Sequence, residues 1–207
     1  APLRAIANLS EWIEEDLQAV LTPDTQKQMN LLRWRVYRME ALINGLLQYS
    51  RVGRVRTEPE TVVVAQLIAE IIDSLAPPEE FTIEIIGQMP TLVTEKIPLQ
   101  QVFSNLISNA IKHHNRLDGK VTISIQEQEE FYEFTVADDG KGIAEEYHDK
   151  VFAIFQTLES RDKRENTGIG LAIVKRIVEE IGGAITLESQ VGKGTTFRFT
   201  WLKGRIE

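Results

Sequence analysis

The sequence predicts an α+β fold in which an N-terminal helical hairpin precedes an α/β sandwich of helices on a mixed β-sheet. Three observations carry this prediction. Apolar side chains in residues 1–50 recur at alternating three- and four-residue spacings, the pattern of paired helices. A basic break containing Gly and Pro follows at 50–60. Beyond it, strand-like alternation and helical periodicity succeed one another along the chain.

The hairpin is predicted from two helical segments, 1–21 and 29–50, joined by "TPDTQ". In that turn Thr22 can cap the second helix and Pro23 suits its first position. The seam consists of Leu3, Ile6, Ile13, Leu17, Val20, Met29, Leu32, Val36, Met39, Ile43 and Leu46. One hairpin cannot cover so much apolar surface, so we predict a homodimer through residues 1–50 that forms a four-helix bundle. The alternative is that the hairpin packs on the rest of its own chain.

The second domain is predicted to follow the break, which divides the chain into a hairpin at 1–52 and an α+β domain at 60–207. Its expected strands are 61–65, 81–87, "KVTISIQEQ", "FYEFTVADD" and a C-terminal hairpin around "VGKG". Its expected helices are 66–76, 98–114 and 167–182.

Composition narrows the classes of function. The net charge is −8 and the chain has no Cys, so disulfides and thiolate metal sites are excluded. A nucleic-acid partner is not expected, since such proteins usually present a basic face. Since apolar runs long enough to span a bilayer are absent from the sequence, direct membrane contact by these residues is not expected either.

Three glycine clusters are the first candidates for chemistry. The first is "DDGKGI" (138–143), the second "TGIGLAI" (167–173) and the third "GKGTTF" (192–197). Each alone can be an ordinary tight turn. The second also opens a predicted helix, and the N-terminus of a helix favours a phosphate group.

A polar stripe on the predicted helix 98–114 is the other candidate. Asn105, Asn109 and Lys112 fall on one face because they are spaced by four and three residues. This stripe is either a solvated surface or a site in which an amide oxygen binds Mg²⁺ and an ammonium group binds phosphate.

Taken in order, these motifs resemble the nucleotide-binding boxes of sensor histidine kinases. "NLISNAIKHH" is similar to the N box of that family, "DDGKGI" to its first Gly box and "VFAIFQTL" to its Phe-bearing box. "TGIGLAIV" and "GKGTTF" are similar to its second and third Gly boxes. The hairpin ending in "YSRVGR" resembles the family's dimerisation and phosphotransfer hairpin. The resemblance implies ATP and Mg²⁺ as cofactors and a response-regulator receiver domain as partner.

The resemblance also implies roles for individual residues. Asp138 matches the acceptor of a hydrogen bond from the adenine amino group, and Gly140 and Gly142 let the backbone approach the base. Asn109 matches the Mg²⁺ ligand. His113 lies where the family often has an aromatic residue near the nucleotide.

The phosphate end of the nucleotide is expected to involve a second group of residues. Asn105 and Lys112 are the expected catalytic contacts on the helix, and Arg161 is a candidate to reach the γ-phosphate from the charged segment "QTLESRDKRENT". That segment is expected to form a mobile lid, although its charges can also serve solubility alone. Four residues of the second and third boxes complete the expected set: Gly168, Gly170, Leu171 and Thr195. Phe152 and Phe155 are expected in the core, with lid anchors as the alternative.

Phosphoryl transfer is favoured over hydrolysis because Asn105 occupies the position at which related ATPases carry a Glu. An amide cannot act as a general base at neutral pH. A gyrase-like ATPase and a non-catalytic ATP-binding dimer remain the alternatives.

The acceptor histidine is not expected among the three histidines of this chain, His113, His114 and His148, because none lies in the hairpin. In the family the acceptor precedes a Pro-Leu pair that Pro2 and Leu3 match, so we expect it four residues before Ala1 in the parent protein. The chain as given is then expected not to phosphorylate itself. A cytoplasmic location is expected, in a parent that is either soluble or membrane-anchored.

Overall fold

Five α-helices and seven strands make up the described part of the chain, which comprises residues 2–54, 57–156 and 167–203 of the computed structural model. The helices are α1 (Pro2–Asp16), α2 (Pro23–Arg51), α3 (Val64–Leu75), α4 (Lys96–Lys112) and α5 (Gly170–Glu180). The strands are β1 (Glu60–Val63), β2 (Thr82–Ile86), β3 (Thr91–Thr94), β4 (Lys120–Glu127), β5 (Phe131–Asp138), β6 (Ile185–Gln190) and β7 (Gly194–Leu202).

A five-stranded sheet of order β2-β4-β5-β7-β6 is the centre of the second domain. Strand β2 runs parallel to β4, and the other three pairings are antiparallel, so the sheet is mixed. Helices α4 and α5 contact each other and pack on this sheet. The predicted α+β class with helices on a mixed sheet is therefore confirmed.

An aromatic cluster holds α4 to the sheet. Phe103 of α4 contacts Phe134 of β5 and Phe199 of β7 edge-on, with ring centroids 5.2 and 5.3 Å away. All three side chains are fully buried. Burying a Phe side chain contributes roughly 1.5–3 kcal/mol, and edge-to-face pairs add about 0.5–1.5 kcal/mol each, so this cluster is a main anchor of the helix.

The two N-terminal helices form the hairpin that the seam pattern predicted. Thr22 caps α2 by accepting a hydrogen bond from the backbone N–H of Thr25 at 3.2 Å, and Pro23 occupies the first turn. The helices meet through Ala7 and Val36, which are buried, and through an ion pair between Arg33 and Glu14. The small side chain of Ala7 at this contact allows the two helices to lie close together.

Most of the predicted seam is left uncovered within one chain. Side chains that should line a helical interface are 41–52% exposed, namely Ile6, Ile13, Leu32, Met39, Ile43 and Leu46. The hairpin therefore buries only part of its own apolar surface.

The hairpin contacts the second domain through α2 and α5. Gly45 of α2 faces Ile169, whose Cδ1 would lie 2.8 Å from a Cβ at position 45. One turn further along α2, the Tyr49 ring lies beneath the guanidinium of Arg176, 4.5 Å from its centroid. The absence of a side chain at Gly45 is what permits this close approach.

The strand β3 was not predicted from the sequence. It pairs antiparallel with β1, and Thr94 at its end accepts a hydrogen bond from the indole N–H of Trp201 at 3.0 Å. Four residues are too short a pattern to identify a strand. The pairing also depends on partners distant in sequence, from Val63 with Thr91, 28 positions apart, to Glu60 with Thr94, 34 positions apart. Helices α3 and α4 each begin two residues before the predicted positions.

Substitution of Gly45 tests the contact between the hairpin and the second domain. We expect Gly45→Val to lower the free energy of unfolding by about 1–3 kcal/mol, because the added side chain overlaps Ile169. Chemical denaturation measures the change. Asn44→Val is the matched control, since it places the same residue at the adjacent, exposed position of the helix. Equal losses for both variants would contradict the close contact.

Candidate functional site

The polar face of α4 forms one wall of the candidate site. Asn105, Asn109 and Lys112 follow one another along the helix, while the buried apolar residues of α4, among them Val102 and Phe103, face the core. Both asparagines are half-buried and Lys112 is exposed. The helix thus has one apolar and one polar face, as the sequence predicted.

Asn105 connects α4 to the start of α5. Its amide N–H₂ donates to the carbonyl of Gln101 at 2.8 Å, and its amide oxygen would lie 2.7 Å from a Cβ at Gly170. The structure therefore brings Asn105 together with the second glycine cluster, from which it is separated by 65 positions.

The second glycine cluster leads into α5. Gly168 has a φ of 66°, which favours glycine, and a Cβ there would lie 2.5 Å from the carbonyl of Gln156. Its own carbonyl accepts a hydrogen bond from the N–H of Phe155 at 2.9 Å. Within the described ranges no side chain caps the N-terminus of α5, so its amide groups and positive dipole end suit an anion.

The first glycine cluster lies against the turn between β6 and β7. Gly142 has a φ of 69°, and a Cβ there would lie 2.1 Å from the carbonyl of Gln190. Ser189 joins the two segments, since its hydroxyl accepts from the N–H of Ile143 and donates to the carbonyl of Gly194, both at 2.8 Å. The first and third glycine clusters are therefore one continuous surface.

Asp138 lies at the end of β5, directly beside Thr195 in the ladder with β7. Burial raises the pKa of the Asp138 carboxyl, and the N–H of Gly140, which donates to it at 2.9 Å, offsets only part of that rise. A half-buried carboxyl with acceptor capacity beside a buried threonine is suited to recognise a hydrogen-bond donor on a ligand.

Asp139 behaves differently from its neighbour. Burial acts to raise its pKa, but hydrogen bonds from the Lys120 backbone, His114 and Arg116 outweigh burial and lower it. The sequence motifs assigned no role to Asp139 or to His114. The sequence showed these residues only as two doublets, Asp138-Asp139 and His113-His114. No local pattern indicated that Asp139 and His114 are in contact.

Helix α4 reaches from one glycine cluster to the other. At the middle of the helix Asn105 faces Gly170, and beyond its end the His114 ring lies 3.1 Å from the position of a Cβ at Gly140. Asn109 and Lys112 lie between these contacts, and His113 follows at the helix C-cap. At 1.5 Å per residue, the wall between Asn105 and Lys112 is about 10 Å long.

Several predicted residues lie at the edge of this site or outside the described ranges. Leu171 is half-buried against the core. Arg161 and most of the expected lid, residues 157–166, are outside the described ranges. Phe152 packs on Phe197, as expected of a core residue. Phe155 is 53% exposed, so its expected place in the core was wrong; its φ of 66° accompanies the turn to Gly168.

Among the described residues, no group of three or more His, Cys, Asp or Glu side chains is arranged to hold a metal ion. Over the same ranges, every helix is too short or too polar to cross a membrane.

Residues 94–205 match the family described as Histidine kinase-, DNA gyrase B-, and HSP90-like ATPase. The chain belongs to this family. The matched range includes α4, all three glycine clusters and the four strands of the sheet from β4 to β7. This family match and the histidine kinases among the relatives of the chain identify a sensor histidine kinase ATP-binding region. The resemblance seen in the motifs is therefore confirmed.

Curated relatives of this ATP-binding region include Cyanobacterial phytochrome B of Nostoc sp., 37% identical over 205 residues and 96% of this chain. Sensor histidine kinase WalK of Bacillus subtilis is 35% identical over 208 residues and 96% of this chain. The chain spans 27% of the first protein and 33% of the second, so both relatives contain much that has no counterpart here.

Solved structures share the fold of this histidine kinase region. Full-length ShkA in complex with AMPPNP has a TM-score of 0.72 at 23% identity, over 98% of this chain and 44% of that one. Histidine kinase ThkA in complex with the response regulator TrrA has a TM-score of 0.66 at 23% identity, over 98% of this chain and 59% of that one. Both matches include the N-terminal helices.

Asparagine substitutions of the two adjacent aspartates test the opposite directions of their pKa shifts. Since the folded state raises the pKa of Asp138, its stabilising contribution is present at low pH and is lost as the pH rises through the raised pKa. We expect the free energy of unfolding of Asp138→Asn to equal or exceed that of wild type at about pH 7. Any difference between the two free energies should vanish as the pH falls. Urea unfolding across the pH range measures this.

The matched control is Asp139→Asn. The pKa of Asp139 is lowered, so its contribution is present above its unfolded pKa and is lost as the pH falls through the folded value. We expect this variant to be less stable than wild type at neutral pH and to equal it in acid. The same pH dependence in both variants would contradict the assignment.

Proposed function

We propose that this chain is the transmitter region of a two-component sensor histidine kinase. It binds Mg·ATP and transfers the γ-phosphoryl group to a histidine of its parent protein, from which an aspartate of a response-regulator receiver domain receives it. The observation that carries the proposal is the position of α4, on which Asn109 and Lys112 come between the residues that contact two glycine clusters, Asn105 and His114.

The base end of the nucleotide is assigned to the first and third glycine clusters. There Asp138 accepts a hydrogen bond from the adenine amino group, and the backbone at Gly140 and Gly142 lies against the base. Thr195 supports this assignment, since it is buried beside Asp138 and its hydroxyl lies 3.2 Å from that of Ser189. His113, at the C-cap of α4, is the proposed neighbour of the nucleotide on the other side.

The phosphate end is assigned to α4 and to the start of α5. Asn109 supplies one amide oxygen to Mg²⁺, which takes its remaining ligands from phosphate oxygens and water. Lys112 and the N-terminus of α5, with Gly168, Gly170 and Leu171, neutralise phosphate charge. Arg161 is proposed as a further cation from the segment before Gly168. Transfer then depends on positioning and charge neutralisation.

Asn105 supports transfer rather than hydrolysis. Its amide donates to the carbonyl of Gln101 and its oxygen faces Gly170, so it is occupied within the fold. It has no carboxylate with which to remove a proton from water. ATP bound in this site is therefore protected from attack by water until an acceptor arrives.

The acceptor is proposed to be a histidine outside this chain, in the run that Pro2 and Leu3 would complete. The three histidines of the chain itself are poor acceptors. The His114 side chain is 1% exposed, and His148 contacts the carbonyl of Ile143 through Nε2 at 3.1 Å. His113 stands at the end of α4, beside the proposed nucleotide site rather than on the hairpin.

Dimerisation is proposed to occur through residues 1–50. The exposed seam of both helices supports this, since a second hairpin would cover it in a four-helix bundle. The solved complex of ThkA with TrrA supports a response regulator as the further partner. A cytoplasmic location is proposed for this activity.

Labelled ATP tests the proposed transfer in the parent protein, with the residues before Ala1 included. We expect acid-labile, base-stable label on the hairpin segment. We expect Asn109→Ala to reduce the labelling rate about tenfold or more, because Mg²⁺ loses a ligand. Gln100→Ala, which removes an exposed amide from the same helix, is the matched control. Label on serine, or ATP binding without label, would overturn the proposal.

The oligomeric state tests the four-helix bundle. We expect Ile43→Asp to convert the dimer to a monomer, because each chain would place a charge in an apolar interface. Analytical ultracentrifugation of the 207-residue chain measures the mass. Val191→Asp introduces the same charge at an exposed apolar position outside the hairpin and should leave the dimer intact. A dimer that survives Ile43→Asp would contradict this interface.

A further inference from the structure

His114 lies in a slot that two glycines leave open. A Cβ at Gly119 would lie 2.4 Å from Cε1 of the His114 ring, and one at Gly140 would lie 3.1 Å from its Cδ2. The edge of Phe81 closes the slot, with ring centroids 5.3 Å apart. The histidine side chain is consequently 1% exposed, although it follows the end of α4 in a surface loop.

One hydrogen bond of this ring, from Nε2 to Asp139, has a defined direction. Nε2 lies 2.9 Å from Oδ1 of Asp139, whose carboxylate can only accept, so Nε2 carries a proton and donates it. Nδ1 lies 3.1 Å from the N–H and 3.0 Å from the carbonyl of Arg116. In either protonation state of Nδ1, the ring therefore joins the loop after α4 to Asp139.

The Asp139 carboxylate accepts hydrogen bonds from three donors. Besides His114, its Oδ1 accepts from the N–H of Lys120 at 2.7 Å and its Oδ2 accepts from Nη2 of Arg116 at 2.5 Å. Asp139 stands between Asp138 and Gly140, the residues proposed to meet adenine. The donors come from the loop after α4 and from the start of β4, so this carboxylate fixes the first glycine cluster to both elements.

We propose that His114 is a positioning residue for base recognition: its imidazole holds Asp139 and Gly140, and through them the Asp138 carboxyl, in the orientation that accepts the adenine amino group. This inference rests on the proposed function of the site as an ATP-binding site. His114 does not touch the base; it acts through the backbone of the first glycine cluster. Its effect is therefore confined to the base and does not extend to the phosphates.

Selectivity between adenine and guanine distinguishes this role from a merely structural one. Guanine has a carbonyl where adenine has the amino group, so a displaced Asp138 carboxyl should cost ATP binding more than GTP binding. Calorimetric titration of the 207-residue chain with Mg·ATP and with Mg·GTP measures both affinities. We expect His114→Leu, which removes the donor, to lower the affinity for ATP about tenfold and to change that for GTP less than about twofold.

Two matched variants accompany this measurement. His114→Gln places an amide donor near the position of Nε2 and should restore the ATP affinity to within about threefold of wild type. Phe81→Leu alters the packing against the same ring without removing the bond to Asp139, so it should keep the preference for ATP. If His114→Leu does not fold, as judged by circular dichroism, His114→Asn provides the test, because its shorter amide reaches Arg116 and not Asp139.

The outcomes separate this inference from the function on which it rests. If wild type binds ATP in preference to GTP and the variant lacking the donor keeps that preference, His114 has no positioning role. Equal loss of the preference in Phe81→Leu would likewise overturn it. If wild type shows no preference for ATP, the proposed assignment of Asp138 fails first, whatever the variants do.

Discussion

The contact of Phe103 with Phe134 and Phe199 is the interaction on which the rest of the site depends. It holds the apolar face of α4 to the sheet and thereby directs the opposite face, with Asn105 and Asn109, toward the glycine clusters. A polar helix face of this kind is unfavourable as a surface by itself, since asparagine is a poor helix former. The packing of the aromatic cluster supplies the stability that allows those polar residues to remain there.

Close contacts between segments that are distant in sequence then give the site its shape. Gly142 lies against the turn between β6 and β7, and Gly168 lies against Gln156, so a side chain at either position would separate segments that must meet. The second glycine cluster has a further neighbour, because Ile169 contacts Gly45 of α2. Ile169, which lies between Gly168 and Gly170 of the proposed phosphate site, is thus in direct contact with the hairpin.

Much of the fold could be predicted because its signals are local. The cap at Thr22, the helical periodicity of α4 and the alternation of Phe197, Phe199 and Trp201 in β7 are each visible within a few residues. The glycine clusters were equally visible, and their order along the chain identified the family. What local patterns could not supply was the short strand β3 or the exposure of Phe155, since both depend on distant partners.

The sequence by itself determined the class of fold, the helical hairpin, the family and the polar face of α4, because periodicity and spaced motifs are properties of neighbouring residues. Only the tertiary structure decided that His114 meets Asp139 across 25 positions and that Gly45 admits Ile169 to the surface of α2. A histidine beside a helix end and a glycine within a helix can each have many structural roles. The side chains that pack against such a residue decide which role it has.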